Sequence, residues 1–319
     1  MSPATDRSTQ PLELLPIDIT AYTGNTTIPY VTTLDSGAPG PHLLINALTH
    51  GNEVCGAHAI DYLFRNNIRP VRGILSLSFA NTAAYATFDP SVPGASRYLD
   101  EDFNRLWAAD VLDAPARSRE HERAKAMRPL MDAVDHLLDL HSMQTPSPPL
   151  ALAGTSEKCR TTSKAIGVPA HVVLDSGHAE GVRLRDYTPF TDEQTTRTAV
   201  LIECGQHWAN DSRDVAIDSA LRFLTAFGMV DPNWVAERIN SPPAPQQIIE
   251  VTEAVTVQDD RFQFLENYTG LEVIPRAGTT IARDGTRAVT TPYDDCVLIM
   301  PTLRIKRGKT AVRFGRYRS

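Results

Sequence analysis

The chain has 319 residues, of which 42% are apolar and 22% charged, and a formal net charge of -7. That length accommodates one large domain plus a smaller one. The acidic balance excludes a general nucleic-acid binder, which carries a basic excess, and no stretch approaches the roughly 20 apolar residues of a membrane helix.

The opening "MSPATDRSTQPLELL" lacks the basic start and long apolar segment of a signal peptide. Cys55, Cys159, Cys204 and Cys296 are far apart and form no C-x-x-C pair, so neither a disulfide framework nor a cysteine zinc cluster is expected. The expectation is a soluble, reduced, cytoplasmic protein without nucleic-acid or membrane partners, for which a homo-oligomer stays open.

"HLLINAL" (42–48) reads as a buried strand, and "NEVCGAHAIDYLFRNN" follows with Val54, Ala57, Leu63 and Phe64 at near-helical spacing. "GILSLSFAN" (73–81) alternates like a strand, and "SREHERAKAMRPLMDAVDH" reads as a helix capped by Ser118. "HLLDL" (136–140), "HVVLD" (171–175) and "TAVLI" (198–202) are short apolar strands, and "SRDVAIDSALRFLTAFG" is an amphipathic helix. Strands alternating with helices predict an α/β fold with a mixed, largely parallel sheet flanked by helices. After about residue 240 the texture changes: "NSPPAPQQ" reads as a linker, and "IIEVTEAVTVQ" and "AVTTPYDDCVLIMP" as strands around an Asp-Gly turn. Residues 1–240 are therefore expected as one domain and 241–319 as a smaller all-β domain. The basic end "RIKRGKTAVRFGRYRS" reads as a solvated final strand and tail.

Three predicted strands deliver a metal-binding or acid–base group at the carboxyl edge, where ligands collect in open α/β sheets. His50 follows the first of them, and Glu53 is expected one helical turn on, facing the same side. Gly51 between them is expected to let the backbone turn sharply. "LLDLH" ends in His141, and "AVLIECG" carries Glu203. His-x-x-Glu alone is a weak signal, and a lone histidine after a strand is commonly a hydrogen-bonded core residue. The joint placement carries the inference. A catalytic zinc has three protein ligands, of which two histidines and a glutamate are one known set, and keeps one position open. His50, Glu53 and His141 would hold one Zn2+ per subunit. Glu203 would stay unligated, to take a proton from water and pass it to a leaving amine.

"SRYLDEDFNRLW" (96–107) interleaves charged and aromatic residues. Asp100 and Glu101 read as members of local ion pairs. Arg97 and Arg105 carry the guanidinium fork that suits a carboxylate or a developing oxyanion.

"THGNE", "RYLDEDFNR", "LLDLH" and "LIECG" occur here in the order found in the aspartoacylase and succinylglutamate desuccinylase family, which the chain resembles. The resemblance implies a zinc carboxypeptidase-like catalytic domain with a β-rich second domain over the cleft. It implies His50, Glu53 and His141 as zinc ligands and Glu203 as general base. It further implies that Arg97 polarises the scissile carbonyl, that Asn104 and Arg105 bind a substrate carboxylate, and that Tyr293 in "TPYDDC" caps the pocket. The expected activity is hydrolysis of a linear amide in a small N-acyl amino acid. The chain departs from the family's pattern in "SMQTPSPP" after His141 and in "CGQHW" after Glu203, which leaves the acyl group and the amine open.

"HERAK" carries Lys125 where a zinc helix H-E-x-x-H needs histidine, and no G-x-S-x-G elbow, P-loop or G-x-G-x-x-G is present. His42, His58, His121, His136, His171 and His178 are assigned structural roles, and His207 is expected to be structural beside the site. "DSGHAEGVR" (175–183) reads either as a pocket rim or as a surface turn. The alternatives are a metallocarboxypeptidase acting on short peptides and a non-catalytic binding protein.

Overall fold

A computed structural model describes residues 11–178, 180–239 and 242–318. The first ten residues, and residues 240–241 at the expected domain boundary, lie outside the described residues. Eleven strands form one sheet in the order β1-β3-β2-β4-β7-β5-β6-β8-β14-β13-β10. They are β1 (Val31–Asp35), β2 (His42–Ala47), β3 (Ile74–Phe79), β4 (His136–Met143), β5 (Leu150–Ala153), β6 (His171–Leu174), β7 (Thr198–Gln206), β8 (Gln247–Thr256), β10 (Glu272–Ile274), β13 (Cys296–Ile299) and β14 (Thr310–Tyr317). β9 (Gln263–Phe264), β11 (Thr280–Asp284) and β12 (Arg287–Thr290) form a second, three-stranded sheet.

β3, β2, β4 and β7 run parallel, and their buried apolar residues explain why they read as continuous runs in the sequence: both faces are covered. The helices Cys55–Arg65 and Asn210–Ala226 pack on one face with Leu43, Ile45, Leu140 and Ile202. Helix Arg119–Ala133 covers the other with Phe103 and Trp107. Ser118 caps this last helix by accepting from His121 N at 3.0 Å, an arrangement that contributes about 1 kcal/mol.

The C-terminal part is antiparallel, as its strand-and-turn texture predicts. It is hydrogen-bonded into the main sheet, because β8 pairs in parallel with β6 and antiparallel with β14. β14 differs from the expected solvated strand: Ala311 to Gly315 are buried between β8 and β13. All four cysteines are buried and outside disulfides. Among the described residues no helix is long and apolar enough to cross a membrane.

Candidate active site

The parallel strands bring their carboxyl ends to one place. The chain leaves β2 through Leu48, which takes a left-handed φ of 59°. It then turns through His50, whose carbonyl accepts from Glu53 N at 3.2 Å. Glu53 therefore belongs to the turn preceding the helix Cys55–Arg65, rather than to its first turn. Gly51 does not supply the turn by a positive φ. It is required by crowding: a Cβ there would lie 2.4 Å from Ser96 O and 2.5 Å from Tyr85 N. That close approach also lets Gly51 N donate to Arg97 O at 3.0 Å, which ties the loop bearing His50 to the loop bearing Arg97.

His50, Glu53 and His141 converge. One potential ligand atom from each lies within 4.8 Å of the others, and all three residues are buried. Glu53 Oε1 is 2.7 Å from His50 Nδ1, and Oε2 is 2.9 Å from His141 Nδ1. Burial opposes the charge on Glu53, but the two imidazoles outweigh it and hold the carboxyl well below the usual range. Behind His141, Asp139 Oδ2 engages Nε2 at 2.8 Å, which orients the ring with Nδ1 toward Glu53. Burial pulls the His141 pKa down, yet Asp139 and Glu53 together hold it well above the histidine norm. Asp139 is fully buried and is satisfied on its other oxygen by Asn46 Nδ2 at 2.8 Å and Thr49 Oγ1 at 2.9 Å. This is the carboxylate–histidine support that metal sites use to fix a ligand's tautomer. Around His50, Asp102 Oδ1 lies 3.1 Å from Nε2, and the Arg97 guanidinium approaches the same nitrogen with Nη2 at 2.8 Å.

Glu203 lies in β7 directly opposite His141 in β4. Its Oε2 is buried without a hydrogen-bond partner among the described residues. Burial, aided by the nearby charge of Glu53, pushes its carboxyl up to about 8. A carboxyl with a free oxygen and raised basicity is a candidate proton acceptor. Arg97 reaches the same centre, with Nη1 3.1 Å from Glu53 Oε1 and Nη2 3.3 Å from Asp102 Oδ2. Its loop is held by Glu120, a fully buried carboxylate that accepts from Leu99 N at 2.7 Å and Asp100 N at 3.1 Å. Asp100 and Glu101 pair with Arg119 and Arg117, as local ion pairs were expected to.

His50, Glu53, Arg97, Asp102, His141 and Glu203 line a cleft of about 360 Å³. Asn104 and Arg105 line it too. Asn104 Oδ1 accepts from Leu184 N at 2.8 Å, so its NH2 end is the part left for a ligand. Arg105 Nη2 is 3.3 Å from His178 Nε2, and its Nε is buried without a partner among the described residues. His178 thus belongs to the cleft, and Glu180 and Arg183 from the same stretch line it as well. Burial and the guanidinium of Arg105 push His178 down to about 2, so it is neutral. Arg313 arrives from β14 and lies 3.6 Å from Asp175, which also pairs with Arg183 at 2.9 Å. Tyr293, expected over the pocket, does not line the cleft: its hydroxyl is 2.5 Å from Thr252 Oγ1 and Arg316 covers its ring at 3.7 Å. Seven lysine and arginine side chains face the cleft against four carboxylates, in a chain of net charge -7. Arg304, Lys306, Lys309 and Arg313 went unnoticed in the sequence because they sit in the segment that reads as a tail.

Residues 39–227 match the family model described as the succinylglutamate desuccinylase/aspartoacylase catalytic domain. A succinylglutamate desuccinylase of Burkholderia cenocepacia is 25% identical over 293 residues, covering 84% of this chain and 79% of that protein. The fold is similar to the crystal structure of succinylglutamate desuccinylase from Vibrio cholerae, with a TM-score of 0.70, 18% identity and coverage of 91% and 86% of the two chains. It is also similar to the product-bound ectoine utilization protein EutE (DoeB) of Ruegeria pomeroyi, with a TM-score of 0.62, 18% identity and coverage of 90% and 88%.

Proposed function

Because this chain belongs to the succinylglutamate desuccinylase/aspartoacylase family, whose members hydrolyse amide bonds of small N-acyl compounds, we propose that it is a zinc-dependent deacylase of an N-acyl amino acid. One observation carries the reading: the buried donors of His50, Glu53 and His141 lie within 4.8 Å of one another, beside a Glu203 oxygen that no protein group engages among the described residues.

The donor set fits zinc. Two imidazoles and a carboxylate are a known catalytic ligand set, and all three are buried where a bare carboxylate would otherwise be costly. When bound, the ion supplies Lewis acidity that polarises a carbonyl and acidifies water. The chain's own residues do the rest. Glu203 takes a proton from the attacking water and returns it to the leaving amine as the C–N bond breaks. Arg97 donates to the oxyanion that forms on the scissile carbonyl. Asn104 and Arg105 hold a carboxylate of the amine half, which fixes the amide between Arg97 and Glu203. The division into a catalytic domain, 1–240, and a β-rich domain, 241–319, belongs to this reading. It is supported by the four cations that reach the cleft from beyond residue 300.

The test compares zinc-loaded protein on N-acyl amino acids and on short peptides with free C-termini. Turnover of the first panel with little of the second is expected. The reverse would identify a carboxypeptidase, and turnover of neither would remove the enzymatic reading.

A further inference from the structure

Glu120 is a fully buried carboxylate whose hydrogen-bond partners are all neutral donors. Oε1 accepts from Leu99 N at 2.7 Å and from Asn81 Nδ2 at 3.2 Å. Oε2 accepts from Asp100 N at 3.1 Å and from Glu101 N at 3.4 Å. Consecutive backbone N–H groups that converge on one anion form a nest. Glu120 also stands in the first turn of the helix Arg119–Ala133, where the helix dipole favours a negative group. A buried carboxyl is costly unless its oxygens are hydrogen-bonded. The side chain therefore fits only with the backbone of residues 99–101 curled around it.

Leu99, Asp100 and Glu101 do not line the cleft, but they separate residues that do. Arg97 stands before the curled segment, with its carbonyl accepting from Gly51 N at 3.0 Å. Asp102 follows it: its Oδ1 accepts from Asn104 N at 2.9 Å, and its carbonyl accepts from Arg105 N at 3.0 Å. Each flank is thus fixed to its own surroundings, and the segment between them sets their spacing. The ion pairs Asp100–Arg119 and Glu101–Arg117 lie on the outside of the same segment, where water screens them. Glu120 is its buried anchor.

We infer that Glu120 is a positioning residue for the reaction: by curling residues 99–101 around its carboxylate, it fixes the spacing between Arg97 on one flank and Asn104 and Arg105 on the other. The inference rests on the proposed deacylase reading, which gives those three residues their roles. A substrate held at its carboxylate by Asn104 and Arg105 presents its carbonyl to Arg97 only if that spacing is right. Glu120 acts through the backbone and touches no substrate. A small displacement of one flank is enough to cost about 100-fold in rate.

The experiment is a double-mutant cycle on the full-length zinc-loaded protein, with Glu120→Gln, Arg97→Lys and the pair, on one N-acyl amino acid that the wild type turns over. Glutamine keeps the shape of the side chain but turns an NH2 group toward backbone N–H groups, which opens the nest. Glu120→Gln alone should lower kcat/KM about 10–100-fold. In the Arg97→Lys background its loss should be at least about fivefold smaller, because the spacing then serves an altered partner. A merely destabilising substitution would cost the same factor in both backgrounds. Amide hydrogen exchange at Leu99, Asp100 and Glu101 should be about 10-fold faster or more in Glu120→Gln, with the circular dichroism unchanged. Asp100→Asn, which weakens only an exposed pair, should leave kcat/KM within about twofold of the wild type. If Glu120→Gln does not fold, Asn81→Ser removes one donor to Oε1, keeps a hydroxyl to cap the helix Thr82–Tyr85, and should give the same coupled loss at about 3–10-fold. Faster exchange with kcat/KM unchanged, or an equal loss in both backgrounds, would overturn the positioning role and leave the deacylase reading intact. No turnover of any N-acyl amino acid by the wild type would overturn the deacylase reading, and the positioning role with it.

Discussion

His141 and Glu203 face each other across the β4–β7 ladder as direct register partners. One is a member of the candidate metal-binding trio, and the other is a carboxyl with an oxygen that no group engages among the described residues. A hydrogen-bonded ladder thus sets the separation between the proposed ligand and the proposed base, so each can be altered without moving the other.

Glu203→Gln keeps the shape of the side chain and removes its basicity. Its kcat should fall about 10²–10⁴-fold. Elemental analysis should still find one zinc per chain. Loss of zinc together with activity would make Glu203 a ligand and leave the reaction without its assigned base.

Asp139 is not among the residues that line the cleft, but it holds the ring of His141. Asp139→Asn should weaken zinc binding about 10–100-fold, measured by competition with a chelator. Circular dichroism should show the fold retained. His50→Ala should go further and leave the protein essentially metal-free.

The two arginines separate in kinetics. Arg97→Lys should lower kcat about 10²–10³-fold, because on the proposed mechanism it loses a donor to the oxyanion. Arg105→Met should act mainly by raising KM, because its proposed partner is a carboxylate present in ground and transition states alike. Steady-state kinetics on one N-acyl amino acid distinguishes these outcomes, and a pure KM effect in Arg97→Lys would reverse the assignment.

Gly51→Ala puts a methyl group 2.4 Å from one backbone atom and 2.5 Å from another. The backbone must give way, at a cost of about 1–3 kcal/mol. Urea denaturation should show the loss of stability. Zinc affinity should fall with it, because the loops bearing His50 and Arg97 are pinned together at this residue.

His136 provides a pH test away from the metal residues. Its ring stacks on Phe227 at 4.1 Å, and Nδ1 is 2.8 Å from Thr198 Oγ1. Burial pushes it down to about 4, with Lys158 assisting and Asp135 opposing. The unfolded chain takes up this proton near the ordinary histidine value of about 6.5. The stability contributed by the neutral ring is therefore complete above that value and is lost as pH falls toward 4. Between those limits the urea midpoint should fall less steeply in His136→Gln than in the wild type.

The central fold was legible because β2, β4 and β7 are buried on both faces and end in polar groups that burial does not explain. The metal trio follows from that pattern. β5 was not legible: it is four residues long, follows a proline-rich stretch and pairs antiparallel to β7. The final strand was misread as solvated because its charges dominate the sequence. Arg313 is buried only because Asp175, 138 positions earlier, lies 3.6 Å away.

β8 is stitched to β6 on one side and to β14 on the other. The C-terminal part therefore shares one hydrogen-bonded sheet with the strands that carry His141 and Glu203. Excising it would bare the flank of β6 to pairing with other chains and strip four positive charges from the substrate's path in the same stroke.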